Sequence, residues 1–200
     1  MSYTPPQIDF YASNTNFDKL YPPKMQQLSG KHFTPMAVAV KAATYLVEGS
    51  GVKILDIGSG VGKFCLIAAN RFPEIQFYGV ENRKDLIDYA EEAKETLMVK
   101  NAHFILSDFA KINFSNFDHF YFYNSFFENL VEDEDHLFEG SLGLSGALYE
   151  RYTNVLHTIF KNRPLGTKIV TYQSSHHEIP SNYQLVESHF NSKLNFWVKG

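Results

Sequence analysis

Lys53-Ile54-Leu55-Asp56-Ile57-Gly58-Ser59-Gly60-Val61-Gly62 runs an apolar strand straight into glycine at every second position. Asp56 stands two residues ahead of the first glycine. Glycine lets a backbone bend sharply and approach a ligand closely. Lys63 to Arg71 carries helix-like spacing, so the loop would lie at a helix N-terminus. Nucleotide-type ligands bind there in open α/β sheets.

The flanking chain repeats the strand-then-helix alternation. Upstream, Thr34-Pro35 predicts a helix start, with Thr34 as N-cap and Pro35 at the first helical position. Met36, Val40, Ala43 and Val47 keep helical spacing to Glu48, and Gly49-Ser50-Gly51 ends it. Downstream, the first helix after the loop carries Phe64, Ile67, Ala68 and Phe72. A second strand spans Gln76 to Glu81. A helix from about Lys84 to Val99 sets Leu86, Ala90, Ala93 and Leu97 on one face. Strands follow at Ala102 to Leu106 and Asp118 to Tyr123. After an irregular section, Ser125 to Gly146, come a helix from about Ala147 to Phe160 and a strand at Lys168 to Tyr172. Two last strand-like runs, Tyr183 to Phe190 and Leu194 to Val198, are joined by Asn191-Ser192-Lys193. The pattern predicts an α/β fold, a mainly parallel sheet covered by helices on both faces, with one antiparallel strand from the hairpin.

Residues 1–33 read as an N-terminal arm or lid over a domain of residues 34–200. Pro5-Pro6 and Pro22-Pro23 break this stretch, yet Tyr3, Phe10, Tyr11, Phe17 and Tyr21 make it too apolar for a disordered tail. Tyr11, Phe17, Tyr21 and Phe33 are candidates to exclude water from a site, as lids do.

Two hundred residues fit one domain with a substantial core. A formal net charge of -4 argues against a broad electrostatic grip on nucleic acid. The one cysteine, Cys65, allows no internal disulfide and sits among apolar residues, as a small core side chain would. No apolar run is long enough to span a bilayer, and no basic-then-apolar signal opens the chain. These features predict a cytoplasmic protein with no membrane partner.

The spacing of the glycines separates two ligand classes. A dinucleotide loop, G-x-G-x-x-G, would place its third glycine at residue 63. That residue is Lys63, and the third glycine is Gly62. G-x-G-x-G with an upstream acid resembles the first motif of the class I S-adenosylmethionine-dependent methyltransferases. The resemblance runs from about Thr34 to the C-terminus. It implies a doubly wound seven-stranded sheet of order 3-2-1-4-5-7-6, strand 7 antiparallel, and S-adenosylmethionine as cofactor. By the same resemblance, Gly58, Ser59 and Gly60 would let the methionine part lie against the loop, and Asp56 would orient its ammonium. Glu81, followed by Asn82, would hold the ribose hydroxyls. Asp108 would meet the adenine amino group, with Phe109 beside the ring. Asn124 would stand nearest the methyl group and is the one catalytic candidate.

Methyl transfer needs little from the protein beyond orientation and dryness, because the cofactor carries the reactivity. The acceptor therefore leaves few marks. In the amino-directed branch of this family the fourth strand ends in Asn or Asp, then Pro-Pro, then an aromatic. Here Asn124 and Phe127 match, while Ser125 and Phe126 replace the prolines. The non-SET histone-lysine methyltransferases are also similar in their D-x-G-S-G-V-G loop (Asp56 to Gly62), G-x-E ending (Gly79 to Glu81) and aromatics after an asparagine (Asn124 to Phe127). The chain lacks a long extension that would recognise a nucleosome, so that substrate does not carry over. The acidic run Glu128, Glu132, Asp133, Glu134 and Asp135 would attract a cationic amine. His136, His176 and His177 are possible bases, and no cluster has metal-ligand spacing. The expected acceptor is an unidentified small molecule or protein, with an amine nitrogen such as that of lysine as one form. A nicotinamide-dependent oxidoreductase and a non-catalytic S-adenosylmethionine-binding module are the alternatives.

Overall fold

Apolar residues alternate along the strands and feed two faces of one sheet. The computed structural model describes residues 8–123 and 146–200. The strands are β1 (Lys53–Ile57), β2 (Gln76–Glu81), β3 (Ala102–Leu106), β4 (His119–Tyr123), β5 (Lys168–Tyr172), β6 (Tyr183–His189) and β7 (Leu194–Lys199). They lie in the order β3-β2-β1-β4-β5-β7-β6. β1 to β5 pair in parallel, and β7 runs antiparallel to both β5 and β6. Order and reversal are those the family resemblance implies.

The helices are α1 (Asn14–Asp18), α2 (Pro23–His32), α3 (Met36–Leu46), α4 (Lys63–Arg71), α5 (Lys84–Leu97) and α6 (Gly146–Lys161). Ile54, Tyr121, Val170 and Phe196 join the core shared with α3, α4 and α5. Their strand neighbours Leu55, Phe120, Ile169 and Trp197 join the opposite core, which holds Leu156 and Phe160 of α6. β6 is largely exposed, whereas side chains of the central strands have a helix-covered face to enter on either side. That is why these segments read as near-continuous apolar runs.

The first thirty residues hold more helix than their prolines suggest. Pro22-Pro23 starts α2 instead of breaking the chain, because Pro23 stands in the first turn, where no amide is needed. Phe17, Tyr21, Met25 and Phe33 are buried in the same core as α3 and α4. Their rings form a chain, with Tyr11 to Phe17 at 5.7 Å, Phe17 to Tyr21 at 6.3 Å and Tyr21 to Phe33 at 5.3 Å. Burying side chains of this size stabilises by about 1.5–3 kcal/mol each.

Thr34 does not cap α3. The helix begins at Met36 after Pro35 and has no side-chain cap bond. The Thr34 hydroxyl instead lies 3.0 Å from the Tyr121 hydroxyl, and both residues are buried. A buried phenol on β4 requires a polar partner, and that requirement takes the threonine.

Lys63 opens α4 with its side chain inside the protein. Its ammonium lies 2.6 Å from Asp18 Oδ1, with side-chain exposures of 4% and 8%. The rings of Phe17 and Phe33 stand 5.6 and 5.9 Å from it. Burial pushes the Lys63 pKa down and Asp18 pulls it back up. Removing one partner of such a pair leaves a buried charge uncompensated. Asp18→Ala should therefore destabilise the protein by about 3 kcal/mol, and the double variant Asp18→Ala/Lys63→Met should recover most of that loss in chemical denaturation.

The glycines of the loop differ in a way that stability measurements resolve. Gly60 and Gly62 have φ of 53° and 77°. A Cβ on Gly60 would meet nothing within 4 Å, whereas one on Gly62 would stand 2.4 Å from the Phe104 ring and 2.9 Å from Ala90 Cβ. Gly60→Ala should lose about 1–2 kcal/mol, the left-handed strain alone. Gly62→Ala should lose about 1–3 kcal/mol more through the clash. Equal losses in the two denaturation midpoints would count against the packing role of Gly62.

Candidate functional site

Parallel pairing brings several strand ends to one edge. Ile57 stands opposite Val80 and Phe122, Glu81 opposite Leu106, and Tyr123 opposite Tyr172. The residues that follow, Gly58, Asn82 and Ser107-Asp108, leave the sheet side by side. The glycine loop sits where the strand order reverses, between β1 and β4, the usual ligand position in such sheets. Asn124, Ser125, Phe126, Phe127, the acidic run from Glu128 to Asp135, and His136 lie outside the described residues. β4, which ends one residue before Asn124, is the strand adjacent to β1.

The loop folds on itself. Gly58 and Ser59 amides both donate to the Val80 carbonyl, at 2.9 and 3.0 Å, and the Gly62 amide donates to the Ser59 carbonyl at 2.9 Å. The Gly60 amide donates to Glu81 Oε2 at 3.1 Å. A pyrophosphate would want such amides unspent. Here they shape the loop, which suits a ligand without phosphate. Gly58 is exposed at the open side, while Ser59 is buried. The Ser59 side chain fills the space a Cβ on Gly79 would need, with Oγ 2.6 Å from that position. Gly79 is therefore glycine to admit Ser59. The hydroxyl of Ser59 is buried without a hydrogen-bond partner.

Glu81 is 8% exposed and held from several sides. Oε1 accepts from the Asn82 and Arg83 amides at 2.9 and 3.1 Å. The Arg83 guanidinium approaches to 3.7 Å. Burial raises the Glu81 pKa, and Arg83 with the three amides restrains the rise. Asn82 contributes its backbone amide and stands exposed.

Asp56 lies deeper, 3% exposed. Its place on β1 is the same face as Ile54, beneath α4, and Cys65 Sγ is 3.9 Å from Oδ2. Burial pushes its carboxyl well above the usual carboxylate range, and the charge of Glu81 adds to the rise. Burial likewise pushes the Cys65 thiol up, which makes it an inert core residue.

Asp108 accepts from the Ala110 amide at 3.0 Å and opens the 3-10 turn Phe109–Lys111. The Phe109 ring is buried, 5.3 Å from the ring of Tyr152 on α6. His176 and His177 belong to a turn after β5 in which Glu178 accepts from the Ser175 amide at 3.1 Å. The His176 ring stands edge-on to Trp197 at 5.1 Å, and His177 Nδ1 is 2.6 Å from Ser175 Oγ. Among the described residues no group of three His, Cys, Asp or Glu could hold a metal ion, and no helix is long and apolar enough to cross a membrane.

Several contributors escaped the sequence reading. Arg83 had a signal, being a cation two residues after a strand-ending acid. Tyr152 and Asp18 had none, because their partners are far away in sequence, and Tyr21 was expected as a water-excluding ring rather than as a donor to the loop. The Tyr21 hydroxyl donates to the Val61 carbonyl at 3.1 Å, across forty positions.

The chain and its fold resemble known proteins. Residues 48–195 match the methyltransferase domain family. The chain is 44% identical over 61 residues to a tRNA (guanine-N(7)-)-methyltransferase of Synechococcus sp. (strain JA-3-3Ab), covering 30% of this chain and 25% of that one. It is 32% identical over 111 residues to a release factor glutamine methyltransferase of Buchnera aphidicola subsp. Baizongia pistaciae (strain Bp), covering 52% and 39%. It thus spans between a quarter and two-fifths of the length of these relatives. In fold it is similar to an RNA methyltransferase of Salinibacter ruber, solved with S-adenosyl-L-homocysteine, with a TM-score of 0.56 at 18% identity over 83% of this chain and 92% of that one. A family match across most of the chain, together with this sheet order, places the protein among the class I S-adenosylmethionine-dependent methyltransferases.

Proposed function

We propose that this chain transfers a methyl group from S-adenosylmethionine to a nitrogen acceptor that approaches the carboxyl end of β4. The observation that carries the reading is the Glu81 carboxylate, braced by three backbone amides beside a glycine loop whose own amides are spent. A carboxylate has about four acceptor sites, so one held by three amides still has room to accept from the ribose. The buried Asp56 points the same way, since an acid in apolar surroundings is stabilised by a nearby cation, and the cofactor carries an ammonium.

On this reading Glu81 takes the ribose hydroxyls, with Asn82 beside it. The backbone of Gly58, Ser59 and Gly60 receives the methionine part, and the charge of Asp56 favours its ammonium. Asp108 reaches the adenine amino group through the carboxylate oxygen that does not cap the turn. Phe109 and Tyr152 form an aromatic wall next to it. Asn124, the next residue in sequence after β4, is the candidate for the family's position nearest the methyl group. The bound cofactor supplies an electrophilic methyl on sulfur. The protein holds it, aligns the acceptor and excludes water.

The relatives' names include tRNA and a release factor, so nucleic acid and protein both stand as acceptor classes. The nitrogen reading rests on guanine N7 in one of those names and on the Asn124-to-Phe127 pattern. A cytoplasmic setting belongs to the same proposal and fits a chain whose single thiol is buried. Labelled S-adenosylmethionine, incubated with fractionated lysate, tests the acceptor. Label entering protein or nucleic acid nitrogen supports the reading, and label found only on oxygen or carbon overturns it.

Calorimetry with S-adenosylhomocysteine tests the cofactor site. Glu81→Ala should weaken binding about ten- to a hundredfold, the loss of a charge-assisted contact. Gly58→Val should abolish it, because Gly58 has a φ of 73° and a β-branched residue there is strained.

The raised pKa values of Asp56 and Glu81 fix the sign of a pH effect. Between the ordinary and the raised value of each acid, the ligand-free fold keeps a proton that the unfolded chain has released. Stability is therefore greatest below the ordinary carboxylate range and falls as pH rises toward the raised values. Asp56→Asn should flatten that slope in denaturation series. Cofactor binding favours the ionised Asp56, so affinity should rise with pH through the same window. Proton release should show as binding heats that differ between buffers of different ionisation enthalpy.

A further inference from the structure

In the proposed complex Glu81 serves two ends. Its Oε2 accepts the Gly60 amide, one of the bonds that give the loop its form. The same carboxylate meets the ribose hydroxyls. Gly58, Gly60 and Gly62 all have positive φ, at 73°, 53° and 77°. A chain so rich in glycine loses much freedom when ordered. The loop therefore needs a second hold that the cofactor does not draw on.

The arm supplies one. The Tyr21 hydroxyl donates to the Val61 carbonyl at 3.1 Å, and Asp18 Oδ1 meets the Lys63 ammonium at 2.6 Å. These contacts grip the residues on either side of Gly62. Both are sealed from water, with Tyr21 2% and Lys63 3% exposed. The arm is itself fastened to β4 through the Lys31 carbonyl, which accepts from the Tyr123 hydroxyl at 2.7 Å, and Thr34, the residue that follows the arm, lies 3.0 Å from the Tyr121 hydroxyl. It thus bridges the loop after β1 and the strand that leads to the acceptor side.

We propose that Asp18 and Tyr21 are positioning residues for the methyl donor, holding the glycine loop in its binding form through Lys63 and Val61 without touching the cofactor. This rests on the cofactor reading of the loop given above.

Tyr21→Phe and Asp18→Ala/Lys63→Met test it, since the first keeps the ring and the second leaves no unpaired charge. Two quantities are measured: S-adenosylhomocysteine affinity by calorimetry, and amide hydrogen exchange of residues 56–64 in the ligand-free protein. Each variant should bind about three- to tenfold more weakly, the worth of one buried hydrogen bond. Exchange should quicken in residues 56–64 while β4 and β5 keep their protection. Unchanged affinity, or unchanged exchange in the loop, overturns the proposal. A uniform rise in exchange also overturns it, because that marks a merely structural role. A wild-type protein that does not bind S-adenosylhomocysteine overturns the cofactor reading instead, and the loop exchange still decides whether the arm holds the loop.

Discussion

Glu81 ties the ends of two parallel strands together. Its carboxylate leaves β2 and takes the Gly60 amide from the loop that leaves β1, along with two amides of its own turn. Parallel strands release their chains in the same direction, and nothing in the ladder controls what those chains do next. A charged acceptor between them does, at about 1.5–3 kcal/mol for a hydrogen bond to an ionised group. The bare Gly79 and the buried Ser59 complete the arrangement, because the loop can lie this close to β2 only where β2 has no side chain.

Four buried ionisable groups gather at or beside this edge. Asp18, Asp56, Lys63 and Glu81 are all less than a tenth exposed. Burying them is unfavourable; Asp18 and Lys63 offset each other, Arg83 approaches Glu81, and the Asp56 carboxyl lies against the Cys65 thiol. The offset comes from the aromatic core around them, where Phe64 stacks on Tyr121 at 4.0 Å and the arm's rings close one side. The aromatic richness of the chain, 18 Phe and 12 Tyr, is thereby tied to the site. Stability gained in packing is set against charge held where a ligand is expected.

The central strands were legible because they are largely buried on both faces and end in residues with a different task. The expected bounds of β1, β2, β3 and β5 coincide with those observed, and each is followed by Gly, Asn, Ser or Gln. α2 was not legible, because a Pro pair reads as a break until the second proline is seen to fill a first helical turn. Thr34 carried the composition of a cap, yet a phenol buried in β4 claimed its hydroxyl. The glycine loop could be read from local spacing, while the ion pair beside it joins positions 45 apart and left no local trace. The acceptor was least legible of all, since a cofactor that carries its own reactivity asks little of nearby side chains.

β7 follows β6 in the chain but lies inside it, between β5 and β6. During synthesis, then, β5 and β6 are both complete before the strand that separates them exists. Until Leu194–Lys199 has emerged, the outer edge of β5 offers unpaired backbone groups to any extended segment nearby. The Trp197 indole also donates to Thr171 Oγ1 at 3.1 Å, so a buried hydroxyl of β5 waits for the same strand. The sheet closes from within, and late. The edge of β5 is covered only when β7 inserts between it and β6.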